Sequence, residues 1–224
     1  FTSGSTGPAK GVVYTHGQLA ALRDVLGAHF DVTDQAGLVT GFAPFALLGP
    51  ALGTRSVTPD MDVSAPRTLT ARAVAAAVEA AHARIVFLSP AAILNVVATA
   101  GDLTADDRAA LAGVETFLST GAPIGAELVS AAQRVFPNAQ PHTPYGMTEC
   151  LLVTDITLAG IRQAAEAPDD GVCVGTPVDG VELLIDPLDE LGMPTGLPTA
   201  EPGVLGEVRV RAAHQRLGYD RLWH

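Results

Sequence analysis

The sequence predicts an α/β fold with sheet layers and a β-rich subdomain near its C-terminal end. Short apolar runs at residues 85–88 and 114–118 are typical of buried strands, and segments with helical periodicity flank them. Prolines then punctuate the chain after about residue 170, where the pattern indicates short strands. Alternating strands and helices imply a sheet that binds ligands at loops beyond the carboxyl ends of its strands.

Start and stop signals support each helix of the α/β part. Thr15 and Gln18 have the spacing of a capping box, so we expect a helix to begin at residue 16. Thr70 is a suitable N-cap for a second helix, and Pro90 is a suitable first residue for a third. Pro137 is predicted to end a fourth.

We divide the chain at about residue 170, where the pattern changes from alternating strands and helices to short strands separated by prolines. Residues 1–170 are predicted to form an α/β region, and residues 171–224 the β-rich subdomain. Strands are predicted at residues 181–185 and 205–210. The acidic stretch at residues 102–107 is predicted to be a solvated loop.

Composition limits the function classes. With 224 residues, 48% of them hydrophobic, the chain can bury a substantial core. A net charge of −11 disfavours nucleic acid and anionic membranes as partners, and no apolar run predicts a membrane span. Cys150 and Cys173 do not make a disulfide framework, and no Cys or His spacing indicates zinc. We therefore expect a cytoplasmic protein.

A glycine- and hydroxyl-rich loop, F-T-S-G-S-T-G-P-A-K-G, opens the chain. Its glycines let backbone N–H groups converge on an anion, and its hydroxyls and single lysine add donors and charge. The residues that would cradle phosphate are Thr2, Ser3, Gly4, Ser5, Thr6, Gly7 and Lys10. Taken alone, the loop is also compatible with a linker or surface turn. It lacks the Walker pattern, because Ala9 and Gly11 flank the lysine, and this argues against an NTPase or kinase of another fold.

Two further motifs follow in order, S-T-G-A-P at residues 119–123 and Y-G-M-T-E at residues 145–149. Together with the loop they resemble the motifs of the adenylate-forming superfamily, the AMP-dependent synthetases and ligases. In this loop Pro8 lies one place early, and Ala9 occupies the family's usual proline position. The chain is identified as part of the large N-terminal domain of such an enzyme, and the resemblance implies that residues 1–170 are its α/β nucleotide- and acyl-binding region.

The resemblance implies that ATP and a carboxylic acid react to give acyl-AMP and pyrophosphate. It implies catalytic roles for Lys10, Thr148 and Glu149: Lys10 at the β- and γ-phosphates, Thr148 at the α-phosphate, and Glu149 as the Mg²⁺ ligand. The other nucleotide-binding residues that it implies are Gly121, Ala122 and Pro123 as a wall of the adenine pocket, with Tyr145 and Gly146.

The resemblance also covers the C-terminal end of the chain. Residues 217–219 resemble the family's G-Y-Y segment, and residues 222–224 resemble the start of the stretch before its T-G-D motif. The family's ribose-binding Asp, hinge and C-terminal lid domain with its catalytic Lys are expected beyond His224. The sequence leaves open whether residues are missing between Asp220 and Arg221, and what the oligomeric state is.

The acyl-binding segment is expected at residues 43–53, where Ala46 stands in place of a family histidine. An apolar wall of small residues suits a long alkyl chain, although the segment is equally compatible with plain core. We therefore predict a long-chain fatty acid–CoA ligase that uses ATP, Mg²⁺ and CoA.

Two alternatives remain open. Residues 43–53, 59–62 and 145–150 also resemble the β-lactone synthetases of bacterial olefin biosynthesis, which cyclise a 3-hydroxy acid through acyl-AMP without CoA. A catalytically silent nucleotide-binding module is disfavoured, because Lys10, Thr148 and Glu149 are all present.

Overall fold

The structure, a computed structural model, describes residues 1–2, 8–166 and 171–220. Its helices are α1 His16–His29, α2 Leu48–Ala51, α3 Ala71–Ala81, α4 Pro90–Ala98, α5 Ala105–Leu111, α6 Ala126–Val135 and α7 Leu158–Ala164, with 3₁₀ helices at Ala43–Leu47, Pro66–Thr68 and Ala100–Asp102. Its strands are β1 Val12–Val13, β2 Leu38–Thr40, β3 Ser56–Val57, β4 Ile85–Phe87, β5 Thr116–Leu118, β6 Gln140–His142, β7 Tyr145–Met147, β8 Cys150–Asp155, β9 Thr176–Pro177, β10 Val181–Pro187, β11 Gly206–Ala212 and β12 Gly218–Tyr219. No helix within these ranges is long and apolar enough to cross a membrane.

The chain forms two compact units, each built from separate stretches of sequence. Unit 1 consists of Phe1–Val25, Gly146–Val153 and Pro177–His224, and unit 2 of Leu26–Tyr145 and Thr154–Thr176. The predicted division at residue 170 falls on residues 167–170, which lie outside the described residues, and it stays a prediction.

A five-stranded parallel sheet forms the centre of unit 2, in the order β3-β2-β4-β5-β6. Four paired residues form one row across the sheet: Val39 pairs with Val86, Val86 with Phe117, and Phe117 with Pro141. The first three are at most 1% exposed, and Leu38 and Ile85 of the neighbouring row, on the other face, are 7% and 5% exposed, as expected of a sheet covered on both faces. The predicted α/β fold is therefore confirmed.

The helices that cover this sheet begin where the sequence predicts. The Thr70 hydroxyl accepts a hydrogen bond from the Ala73 N–H at 3.2 Å, which caps α3. Pro90 is the first residue of α4, and Ser89 caps that helix. Phe136, which follows α6, stacks on Phe117 of the sheet with ring centroids 5.1 Å apart.

The acidic stretch at residues 102–107 is not the solvated loop that the sequence predicts. The Thr104 hydroxyl accepts from the Asp107 N–H at 3.2 Å, and the Asp107 carboxylate accepts from the Thr104 N–H at 2.8 Å. These two bonds form a capping box, so α5 begins at Ala105. Part of the acidic stretch therefore forms the N-terminal cap and first turn of a helix.

Unit 1 is rich in antiparallel β-structure. Strands β10 and β11 pair along their full lengths, from Val181 opposite Ala212 to Pro187 opposite Gly206. Strand β1 pairs with β12, which sets Val12 opposite Tyr219. This second pairing holds the segment after the glycine-rich loop against the segment that resembles G-Y-Y. The predicted β-rich part is thus present.

Candidate active site

The Y-G-M-T-E motif forms a tight turn between two strands. Tyr145–Met147 is strand β7, Cys150 begins β8, and Thr148 with Glu149 makes the two-residue turn between them. A Cβ on Gly146 would lie 2.1 Å from the carbonyl oxygen of Leu151, so only glycine fits this place. The turn therefore presents a hydroxyl and a carboxylate side by side at its tip.

The Glu149 carboxylate is held by the C-terminal end of unit 1. The Tyr219 phenol donates a hydrogen bond of 2.6 Å to Glu149 Oε1, and the Arg216 N–H donates to the Glu149 carbonyl at 2.7 Å. The hydrogen bond to Glu149 raises the pKa of Tyr219, so the phenol keeps the proton that it donates. Both the backbone and the side chain of Glu149 are therefore fixed.

Two cations flank the same phenol ring. The Arg216 guanidinium lies 3.9 Å from the centroid of the Tyr219 ring, and Lys10 Nζ lies 5.1 Å from it. Both are within the range of cation–π attraction. The described part of unit 1 thus brings together Lys10 and Glu149, which the sequence assigns to one site.

Tyr14 supports the other residue of the turn. Its hydroxyl donates to the Thr148 carbonyl at 2.6 Å, and burial raises the pKa of Tyr14 to about 12, so this donor stays protonated. Cys150 lies next to the turn, and burial raises the pKa of its thiol to about 11. A protonated buried thiol is a poor nucleophile, so Cys150 fills space beside the turn.

The two ends of the glycine-rich loop are joined by hydrogen bonds between Thr2 and Lys10. The Thr2 N–H donates to the Lys10 carbonyl and the Lys10 N–H donates to the Thr2 hydroxyl, each at 3.0 Å. Beyond the loop, Thr15 and Gln18 form the predicted capping box and α1 begins at His16. Ser3, Gly4, Ser5, Thr6 and Gly7 lie outside the described residues, so their predicted phosphate contacts stay predictions.

The S-T-G-A-P motif lies in unit 2 and follows β5, beside the residues that follow β6. The Ser119 N–H donates to the His142 carbonyl at 3.0 Å, and the Thr120 hydroxyl donates to the Pro144 carbonyl at 2.7 Å. Gly121 then adopts φ +97°, with open space where its Cβ would point. The loop of Gly121, Ala122 and Pro123 therefore neighbours the one that leads into Tyr145, as parallel strands predict.

The apolar segment at residues 43–53 has a mixed environment. Phe45 packs on Phe87 with ring centroids 5.0 Å apart and lies, partly buried, against a small core cluster. Ala46 is partly buried, whereas Leu47 is 76% exposed. The segment is therefore neither fully buried nor fully exposed, and its acyl-binding role stays a prediction.

Several residues near the possible sites belong to no sequence motif that would predict their positions there. Arg216 and Tyr14 reach the Y-G-M-T-E turn from distant positions, and no spacing predicts either contact. His29, His142 and Asp155 form a cluster in unit 2 from three separate elements. The only sequence signal available for the last two is their place at strand ends.

Comparison with known proteins agrees with these motifs. A family model described as AMP-binding enzyme matches residues 1–220. An olefin beta-lactone synthetase of Xanthomonas campestris pv. campestris is 38% identical over 216 residues, which cover 94% of this chain and 37% of that protein. A chloroplastic/peroxisomal 2-succinylbenzoate–CoA ligase of Arabidopsis thaliana is 28% identical over 236 residues, covering 98% of this chain and 38% of that protein.

A solved structure shares the fold. The amide bond synthetase McbA from Marinactinospora thermotolerans has a TM-score of 0.73 and 24% identity, covering 99% of this chain and 41% of that chain. The present chain spans a little over a third of the length of the two curated relatives. The fatty acid–CoA ligase stays a prediction, since the more similar of those relatives is a beta-lactone synthetase. The chain belongs to the AMP-binding enzyme family, the adenylate-forming synthetases and ligases.

Proposed function

We propose that this chain supplies the ATP-binding part of a β-lactone synthetase, which activates a 3-hydroxy acid as acyl-AMP and then cyclises it. The observation that carries the proposal is the 38% identity to an olefin beta-lactone synthetase over 94% of the chain. The string at residues 59–62, Pro-Asp-Met-Asp, and the apolar segment at residues 43–53 support the same branch.

Adenylation joins two anions, a carboxylate and a triphosphate, so the enzyme must neutralise and position charge. Lys10 would place its charge on the terminal phosphates. The Glu149 carboxylate fits Mg²⁺, which prefers carboxylate and phosphate oxygens and would neutralise the phosphates when bound. Tyr219 would orient the Glu149 carboxylate through its 2.6 Å hydrogen bond.

Residues of the Y-G-M-T-E and S-T-G-A-P motifs would contact the nucleotide. Thr148 would donate to the α-phosphate, while Tyr14 fixes the Thr148 backbone through the 2.6 Å bond to its carbonyl. Gly121, Ala122 and Pro123 would form one wall of the adenine pocket, because small residues leave room for a planar base. Tyr145 and Gly146 would border the same pocket.

In the second step, the substrate's own 3-hydroxyl would attack the activated carbonyl carbon. A new C–O bond closes the four-membered ring, the bond from that carbon to the phosphate oxygen breaks, AMP leaves, and the hydroxyl proton passes to solvent. Such a step is intramolecular and is favoured by proximity, so it needs no thiol. The acyl chain is proposed to be long and apolar, since Ala46 stands where a histidine would narrow the pocket.

A CoA-dependent ligase acting on a fatty acid is the second candidate. It is favoured by the likeness to a 2-succinylbenzoate–CoA ligase over 98% of the chain. Such an enzyme would share the adenylation step and then transfer the acyl group to the thiol of CoA.

The two candidates differ in one experiment. The full-length protein is given ATP, Mg²⁺ and either a long-chain 3-hydroxy acid or its deoxy analogue, with and without CoA. We expect AMP release with the 3-hydroxy acid in the absence of CoA, and a product lighter than the acid by one water. Release of AMP only with CoA, together with a thioester from either acid, would establish the ligase instead.

A further inference from the structure

A cluster of two histidines and one aspartate lies in unit 2, built from three element ends. His29 is the last residue of α1, His142 the last of β6 and Asp155 the last of β8. His29 Nε2 lies 3.0 Å and His142 Nδ1 2.5 Å from the same carboxylate oxygen, Asp155 Oδ2. The three ligand atoms lie within 4.8 Å of one another.

The other oxygen of that carboxylate indicates an absent ligand. The Asp155 side chain is 7% exposed, and its Oδ1 is buried with no hydrogen-bond partner among the described residues. A buried acceptor that lacks a partner is costly, and more so when it carries charge. Both imidazoles approach Oδ2 and leave Oδ1 without a partner in the part of the chain that the structure describes. A bound cation would neutralise the carboxylate and interact with this second oxygen.

An aromatic ring limits the freedom of both imidazoles. Phe30, itself buried, meets His29 edge-on with centroids 4.7 Å apart and meets His142 in the same way at 5.5 Å. The side chains of His29 and His142 are only 28% and 14% exposed. The donor atoms are therefore partly preorganised, with His142 and Asp155 largely withdrawn from water and His29 at the exposed edge of the cluster.

We propose that His29 Nε2, His142 Nδ1 and Asp155 bind one Zn²⁺ ion, with a fourth position left for water. Two imidazole nitrogens and a carboxylate suit zinc, whereas Mg²⁺ prefers oxygen ligands alone. With metal–ligand bonds of about 2.0–2.2 Å, ligand atoms of a tetrahedral site lie about 3.3 Å apart. The distances from His29 Nε2 and His142 Nδ1 to Asp155 Oδ2, 3.0 and 2.5 Å, are below that value, so these side chains would have to move apart to admit the ion.

The ion would act as a structural tie. It would join the C-terminal end of α1 to the ends of β6 and β8 within unit 2. Each imidazole would bind the ion in its neutral form, through the nitrogen that faces Asp155. An ion that binds only the folded state raises its stability, so zinc should raise the melting temperature. The proposal does not depend on the enzyme's proposed substrate.

The test uses the full-length protein carrying Cys173→Ser, since Cys173 is exposed and could bind zinc by itself. Metal is removed with a chelator, and Zn²⁺ is then titrated against a chromophoric competitor, with melting temperature as a second readout. Co²⁺ serves as a spectroscopic probe, because its visible bands report tetrahedral coordination. We expect one ion per chain and a rise in melting temperature.

Two variants test the proposed ligands, and a third serves as the control. His29→Ala and Asp155→Asn should weaken zinc binding by about 100-fold or more, since even partners outside the coordination shell are worth 10–100-fold. His82→Asn is the matched control, because His82 is an exposed histidine outside the cluster. His82 has a left-handed backbone conformation, which asparagine tolerates. Absence of zinc binding in the parent, or unchanged binding in a folded His29→Ala variant, would overturn the proposal.

Discussion

The phenol of Tyr219 donates a 2.6 Å hydrogen bond to Glu149 Oε1, across 70 positions of sequence. This bond links the segment that resembles G-Y-Y to the proposed metal ligand of the Y-G-M-T-E turn. Arg216 reinforces it twice, through its N–H to the Glu149 carbonyl and its guanidinium over the phenol ring. Tyr219 is therefore a positioning residue for Glu149.

Replacement of Tyr219 by Phe should lower kcat for adenylation while the fold is kept. Hydrogen bonds to charged groups contribute about 1.5–3 kcal/mol, so we expect a loss of about 10- to 100-fold in kcat. The ring that faces Lys10 and Arg216 remains, so the KM for ATP should change little. Pyrophosphate release at saturating ATP measures the effect, and full activity in the variant would remove the positioning role.

Glu149→Gln tests the metal ligand itself. The amide oxygen of glutamine can still accept from Tyr219, so the turn should fold, but the charge that holds Mg²⁺ is lost. We expect pyrophosphate release to fall by about 100- to 1,000-fold, the range seen when one transition-state contact is removed. A magnesium titration provides the measurement. Glu182→Gln, at an exposed glutamate, is the control and should behave as the parent.

Gly146→Ala tests the close approach in the Y-G-M-T-E turn. The added Cβ would meet the Leu151 carbonyl oxygen at 2.1 Å, so β7 and β8 must move apart. Overpacking of this kind costs about 1–3 kcal/mol, and we expect a lower melting temperature together with a loss of adenylation. Gly101→Ala has open space around its Cβ and should change neither. A stable and active Gly146→Ala protein would contradict the described turn.

Asp186 should make the stability of unit 1 depend on pH in the acid range. Burial raises the pKa of Asp186, but hydrogen bonds from Arg209 and the Gly196 N–H outweigh it and hold that pKa below its ordinary value. The charged form is thus favoured in the folded state. Its stabilising effect is present above the unfolded-state pKa and is lost as the pH falls below about 4.

The matching measurement compares the free energies of unfolding of the parent and Asp186→Asn in urea at several pH values. The variant should be less stable at pH 7, and the difference should shrink toward pH 3. A difference that stays constant over this range would show that the charge of Asp186 does not stabilise the hairpin.

Local signals account for the parts of the fold that were predicted correctly. Thr70 and Pro90 mark helix starts through contacts within one turn, so sequence spacing is sufficient to find them. Asp107 was interpreted wrongly because charge was given more weight than its spacing from Thr104, which is that of a capping box. The same kind of local pattern was available there and would have predicted α5.

Contacts between distant positions explain what the sequence could not supply. Tyr219 reaches Glu149 only because β12 pairs with β1, and neither strand has a strong pattern. The His29, His142 and Asp155 cluster forms because three elements end at one place, which no spacing along the chain records. Tertiary packing, and not local propensity, determines both.

We propose that the full-length protein activates its acid through an acyl-adenylate. The most direct measurement supplies the full-length protein with ATP and a 3-hydroxy acid whose carboxylate carries ¹⁸O, and then analyses AMP and phosphate by mass spectrometry. Attack of the carboxylate on the α-phosphorus leaves one labelled oxygen in AMP when the acyl group departs, so we predict labelled AMP and unlabelled pyrophosphate. Label in inorganic phosphate with ADP as the nucleotide product would contradict the account.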